Sequence, residues 1–450
     1  MLLTRDKSFY KQFFSLYWVL VLHNVIVLLV NLADNVMIGS YSEISLSGVA
    51  AVNQLQFIFM QIIMSTGNGL VMFGSQYWGQ GRTNEIKKVS SGALIIGLSV
   101  SFVLFTLACI TPRGLVRIFS PTDAIICEGV KYINIIKFTY PVFAMTNILL
   151  ATLRCVETVK IGFYISLVTL FTNCSINYLL IYGKFGFPEM GVEGAAIGTL
   201  AARVIELVIV LSYVLFKDTK LRMKISEMFS SDKALFAHFI KVATPTILAG
   251  TMFGVSTALQ TVVLGHMSDS AIAANSMAST LYQTLKVVAV GAASATSVII
   301  GKAVGQGDMK KIREYTKTLQ IMFLCIGAVM SVSLFALRTP VLSLYDMTAE
   351  TKALANAFLI VLCFTGFGMA YEMPTIVGII QGGGDSKFIF KNDFVSIWFI
   401  VVPLSFLAAF KFGWHPVAVL VCLNSDQVFK CIPGCIKVNG YTWVKRLTKD

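Results

Sequence analysis

The sequence predicts an all-α membrane protein: twelve transmembrane helices in two six-helix lobes related by pseudo-two-fold symmetry along the membrane normal. Three observations predict it. Apolar stretches of 18 or more residues recur along the whole chain, and each is long enough to be a candidate span. Only 13% of the residues are charged and 56% are hydrophobic, whereas a soluble chain carries roughly 25% charged residues. Finally, a sequence pattern repeats in register at an offset of 226 residues, from Val36 to Val262.

The spans fall at 13–37, 48–76, 90–111, 132–153, 161–183 and 191–216, then at 236–264, 272–301, 318–337, 353–380, 388–410 and 414–436. Each has the ~20 residues needed to cross ~30 Å of hydrocarbon. The one long polar interruption lies near the midpoint. It sets the expected division: an N-lobe over 13–216, a cytoplasmic linker over 217–235 and a C-lobe over 236–437.

Orientation follows from the gaps between spans. Arg82, Lys87 and Lys88, Arg154 and Lys160, the linker lysines, Lys310, Lys311 and Arg313, Lys387 and Lys391, and Lys445 and Arg446 all fall on one side. That bias makes both termini cytoplasmic in a multi-pass protein of the plasma (inner) membrane. The hairpins 39–47 and 265–273 carry no Lys or Arg and are expected outside. The net charge of +13 is therefore loop charge, and no nucleic acid partner is expected. The first apolar stretch is too long for a cleavable signal.

The repeat holds register without a gap over about 100 residues, which exceeds chance for apolar sequence. Val36-Met37-Ile38-Gly39 matches Val262-Val263-Leu264-Gly265. Ser42 and Glu43 match Ser268 and Asp269, and Gly79-Gln80-Gly81 matches Gly305-Gln306-Gly307. Phe138-Thr139 matches Phe364-Thr365. Six spans per half give both halves the same orientation, so they are parallel repeats. Transporters built this way hold substrate and ion sites near the midplane between the halves and alternate by rocking.

An ionisable residue inside a span costs at least ~2.5–3.5 kcal/mol to insert, so each is a functional candidate. Asp34 lies near the outer end of span 1, and its repeat counterpart Gln260 cannot ionise. Such a lone carboxylate can exchange protons or supply the one negative ligand of a Na⁺ site; the plainer reading is an interfacial carboxylate in water. Asn173 and Asn177 in span 5 are four apart and share a helical face. They offer amide oxygens to a cation, partners to Asp34, or helix–helix hydrogen bonds worth ~0.6–2 kcal/mol. Thr199 in span 6 reads on its own as a small packing residue. In the second half, Lys286 lies in span 8 and Glu372 in span 10, two residues before Pro374. They are expected to form a salt bridge that a proton or substrate breaks, or a structural pair that never opens. Arg203 with Glu206, and Asp426 with Lys430, have the spacing of local pairs, and Lys137 is expected to snorkel. Pro141, Pro245, Pro374 and Pro403 each remove a backbone hydrogen bond inside a span.

The nine Cys are scattered, mostly in spans, and the four His form no cluster. The only metal expected is Na⁺, at Asp34, Asn173 and Asn177. No GxxxxGK[ST] loop occurs, so no nucleotide is expected and the energy must come from an ion gradient. The spans lack clustered His, Asp or Glu at ligand spacing, so no enzyme is expected.

At this point the residues meet a known pattern. Asp34-Asn35-Val36-Met37-Ile38-Gly39 followed by Gly48-Val49-Ala50-Ala51 resembles the first-span signature of the multidrug and toxic compound extrusion (MATE) family. Gly74 to Gly81 and Gly301 to Asp308 resemble its paired loop motifs. Asn177 to Gly183, then Phe187 to Thr199, are similar to its signature across spans 5 and 6. The resemblance covers nearly the whole chain and is to the bacterial branch. It implies two six-helix lobes around a V-shaped central cavity and Na⁺- or H⁺-driven antiport of organic cations and drugs. The family's N-lobe cation site carries over to Asp34, Asn173, Asn177, Tyr140 and Thr199. In the C-lobe, Glu372 with Tyr371 stands nearest to the family's acidic span 10 position. Three departures weaken a C-lobe cation site or alter span 1: span 7 has no carboxylate, Gln381-Gly382 replaces an Arg-Gly, and no Pro lies near His23.

The expectation is thus a monomeric secondary antiporter that needs no cofactor beyond Na⁺ or H⁺ as coupling ion. It works in a lipid bilayer and exports a lipophilic or cationic small molecule. A lipid-linked oligosaccharide flippase of the same superfamily is the alternative.

Overall fold

A computed structural model describes residues 3–230, 232–265, 267, 269–343 and 348–448. Among them there is helix and no strand. The long helices in chain order are α1 (Lys7–Tyr41), α2 (Glu43–Gly79), α3 (Thr83–Ile110), α4 (Asp123–Ile136), α5 (Thr139–Cys155), α6 (Lys160–Ile181) and α7 (Val192–Lys217). They continue with α8 (Lys233–Gly265), α9 (Asp269–Gln306), α10 (Met309–Ser343), α11 (Ala349–Ile380), α12 (Ser386–Lys411) and α13 (Pro416–Asn439). Eleven are long and apolar enough to cross a membrane alone, and α4 with α5 makes a twelfth span bent by 54°. The chain therefore has the expected twelve-span, all-α architecture.

The spans run longer than their apolar stretches. At ~1.5 Å per residue, α1 (35 residues) is about 52 Å long, well beyond the ~30 Å of hydrocarbon. Large apolar side chains such as Phe102, Phe171, Val332 and Ile436 are exposed, as lipid-facing positions require. Expected span 4 begins nine residues earlier than read, at Asp123. Its break at Lys137 and Phe138 has a covalent cause. Pro141 has no N–H to offer the Lys137 carbonyl, and Tyr140 N–H bonds that carbonyl instead, at 3.2 Å. Pro374 likewise opens a π-helical stretch, Pro374–Ile380, and Pro403 sits between two others, Phe394–Val401 and Leu407–Lys411. The last span, expected to be continuous, breaks at Asn424 and Ser425.

Two compact units form: one of 22–74 and 81–247, the other of 1–21, 75–80 and 248–450. In the first, α3 packs on α5, and α7 on α4, α5 and α6. In the second, α9, α10 and α11 pack mutually. Between helices in lipid the hydrophobic effect gives little, so close approach of small residues has to hold them. Gly194 and Gly198 on α7 do this. A side chain at Gly194 would strike the Leu180 carbonyl, and one at Gly198 would collide with Asn177 Oδ1. The 217–235 stretch is docked: Lys87 Nζ lies 3.0 Å from Glu227 Oε2, and Leu221, Met223 and Met228 are buried. His266 and Ser268, in the seventh hairpin, lie outside the described residues.

Between α11 and α12, Asp385 caps α12 by accepting from Phe388 N–H at 3.3 Å. Its carboxylate also meets Lys445 at 2.7 Å and Lys437 at 2.9 Å. Burial alone would raise its pKa, but hydrogen bonds from the two ammonium groups hold it below the ordinary carboxylate value. An acid depressed on folding adds stability above its unfolded pKa and loses it as pH falls through the folded value. Asp385→Ala should therefore cost about 2 kcal/mol at neutral pH. Its melting temperature in detergent should converge on the parent's as pH drops below the carboxylate range. Gly198→Val, which overpacks the α6–α7 seam, should cost about 1–3 kcal/mol in the same melt at any pH.

Candidate functional site

Three elements of the first unit meet around Asp34. α1 carries it seven residues before its end, α6 carries Asn173 and Asn177 on one face, and α7 brings Thr199 next to Gly198. Because Gly198 has no side chain, α7 comes close enough for Thr199 to reach α6. Asn177 Nδ2 donates to Asp34 Oδ1 at 2.6 Å and to Asn173 Oδ1 at 3.3 Å. Asn173 Nδ2 donates to Thr199 Oγ1 at 3.4 Å. Asn173 and Asn177 are fully buried, at 1% and 0% exposure, so these bonds have no water to compete with. Thr199, read on spacing alone as packing, is a polar member of the set.

The arrangement is suited to a small cation. The oxygens of Asp34 and Asn173 converge on one amino group, which stands where a shared cation would. The other end of that amide, Asn177 Oδ1, is buried and has no hydrogen-bond partner. A half-turn of the amide exchanges its donors for that oxygen and leaves three oxygens converging. An unsatisfied buried acceptor costs about 1–3 kcal/mol, a cost that a cation held by the turned amide would relieve. No group of three His, Cys, Asp or Glu able to hold a metal occurs among the described residues.

Tyr140 is the exception. It is 1% exposed on α5, its ring lies 5.2 Å from that of Phe59, and its buried hydroxyl has no hydrogen-bond partner. The structure does not hydrogen-bond it to Asp34. Tyr132 on α4 does lie beside Thr199, Asp34 and Arg203, and is buried. No spacing in the sequence pointed to it; the packing of α4 on α7 brings it there. Arg203 bonds Glu206 as expected, at 2.9 Å, and also lies over the Phe143 ring at 5.0 Å and within electrostatic reach of Asp34.

In the second unit the expected Lys286–Glu372 salt bridge is not formed. Neither residue has an ion-pair partner within 4.0 Å among the described residues, and Lys286 Nζ stands 5.5 Å from the Phe253 ring centre. The reason is Lys430, which the sequence paired only with Asp426. It bridges Asp426 at 3.1 Å and Asp393 at 3.0 Å, and it is also within electrostatic reach of Glu372. Glu372, Asp393 and Asn424–Ser425 each adjoin a break in regular α-helix, where such clusters form readily. Tyr371 points elsewhere, donating to Gln320 Oε1 on α10 at 2.8 Å. Lys137 Nζ donates to Asn134 Oδ1 at 3.4 Å and stands 5.8 Å from the Phe138 ring centre.

Comparison with known proteins bears on this geometry. The MatE family profile matches residues 20–179 and 245–407. The chain is 22% identical over 445 residues to the uncharacterized transporter YisQ of Bacillus subtilis, covering 98% of this chain and 96% of that one. It is 25% identical over 412 residues to the probable multidrug resistance protein NorM of Listeria innocua, covering 89% and 88%. A MATE transporter in its straight conformation superposes with a TM-score of 0.84 at 18% identity, covering 96% of each chain. A MOP superfamily transporter from Pyrococcus furiosus superposes with a TM-score of 0.86 at 17% identity, covering 98% and 97%. With the profile matching most of both halves and the twelve-span fold shared end to end, this chain belongs to the multidrug and toxic compound extrusion (MATE) family of membrane transporters.

Proposed function

We propose that the chain is a secondary antiporter that exports lipophilic or cationic small molecules across the plasma membrane in exchange for Na⁺ or H⁺. The observation that carries this reading is the Asp34–Asn177–Asn173–Thr199 set, a carboxylate held by buried amides in the first unit. The names of the NorM relatives, probable multidrug resistance proteins, support drug extrusion.

In this reading Asp34 alternates between a cation-loaded and a cation-free state. Loading neutralises the carboxylate, with Na⁺ also requiring the Asn177 amide to turn, and alters how α1 lies on α6 and α7. Substrate leaves in the loaded state and rebinds after the cation departs. The basic residues of the N-terminus, the 217–235 linker and the C-terminus support placing both termini in the cytoplasm. The protein acts as a monomer, without a cofactor, and performs no chemistry on its substrate.

Asp34→Asn keeps the shape and the hydrogen bond but removes the charge. In proteoliposomes loaded with a cationic dye, it should lower efflux under either a Na⁺ or a pH gradient by roughly the 5–150-fold of a typical coupling free energy. Unchanged efflux would overturn the assignment. In the unsubstituted protein, whichever gradient alone drives efflux identifies the coupling ion.

A further inference from the structure

The cation site is the upper end of a longer polar seam. His23 on α1 and Ser166 on α6 lie 11 residues before Asp34 and Asn177 respectively, three helical turns or about 16 Å along the same faces. His23 Nδ1 is 2.5 Å from Ser166 Oγ and 3.1 Å from the Gly162 carbonyl oxygen. A carbonyl can only accept, and Ser166 Oγ itself donates to that carbonyl at 2.8 Å. Nδ1 therefore carries the ring hydrogen, and Nε2 keeps the lone pair that can take a second proton. The charged groups around the ring are Glu206 and Arg203 from α7 and Arg154 from α5. Thr199, Arg203 and Glu206 form an i, i+4, i+7 stripe on α7, running from the Asp34 cluster to His23. Arg203 is within electrostatic reach of both Asp34 and His23 while bonded to Glu206.

We propose that His23 is a second proton-binding residue of this unit, exchanging its charge with Asp34 along the α1–α6–α7 seam through the Arg203–Glu206 pair. The proposal rests on Asp34 capturing the coupling ion, and it names that ion as a proton. With Asp34 protonated, Arg203 stays on Glu206, as in the structure, and the imidazole is neutral. When Asp34 gives up its proton, the new negative charge draws the guanidinium away. The released Glu206 carboxylate then stabilises an imidazolium. One proton leaves Asp34 for water and one is taken from water at Nε2, so the exchange balances; Arg203 keeps its protons throughout. A Na⁺ ion cannot take the place of the proton gained at Nε2.

The test uses full-length protein in Na⁺-free liposomes, measuring dye efflux and dye-coupled proton flux under a pH gradient at fixed steps between about pH 5 and 8, where a histidine ordinarily titrates. The unsubstituted protein should show both fluxes and a limb in its rate profile in that window. His23→Gln should lower pH-driven efflux about tenfold, the scale of a typical site-to-site coupling, and flatten the limb. Glu206→Gln, a second variant in case the first folds poorly, should displace the limb along the pH axis, which a merely structural histidine would not permit. Wild-type profiles in both variants, or dye efflux without proton movement in the parent, would overturn the proposal while leaving Asp34 in place. Full efflux by Asp34→Asn would instead overturn the reading of the cation site itself.

Discussion

A carboxylate carried into a hydrocarbon layer must find its hydrogen bonds inside the protein, and Asp34 finds its partner in the Asn177 amide. Much else in the first unit depends on that contact. It needs Asn177 at the α1–α6 face, which needs α7 pressed close, which needs glycine at 194 and 198. The same approach sets Thr199 against Asn173 and aligns the stripe that continues to Arg203 and Glu206. Packing in lipid gains little from apolar burial, so this buried polar network supplies part of what fixes the helices in one register.

The two halves have the same span pattern but different polar interiors. The first holds one carboxylate among neutral amides, with a compensated Arg203–Glu206 pair farther along. The second holds a cluster of three acids and two lysines in which Lys430 takes two carboxylates at once. Glu372 and Lys286 are left without an ion pair among the described residues. Duplication thus preserved the scaffold while each copy acquired its own electrostatics, as Asp34 opposite Gln260 already indicates.

The span count, the repeat and the candidate carboxylate were all legible in the sequence, because each rests on a local rule. Apolar run length marks a span, and a four-residue spacing puts Asn173 and Asn177 on one face. Pro141 marked a disturbance in span 4, though not the extra helical length from Asp123. What was not legible depends on distant parts of the chain. Tyr132 enters the site through the packing of α4 on α7, and Lys430 chooses Asp393 from another span. Tyr140 matched the family pattern, but here its buried hydroxyl makes no hydrogen bond to the carboxylate. The break at Asn424 carries no proline, so nothing local announced it.

The most direct test of the central claim is difference infrared spectroscopy of the purified protein, with Asp34→Asn as the blank that identifies the Asp34 carboxyl band. If Asp34 captures the driving cation, that band should change when the coupling ion, acid or Na⁺, is supplied, and should reverse when an organic cation binds. A band at Asp34 that responds to none of these additions, in protein still competent for efflux, would contradict the account.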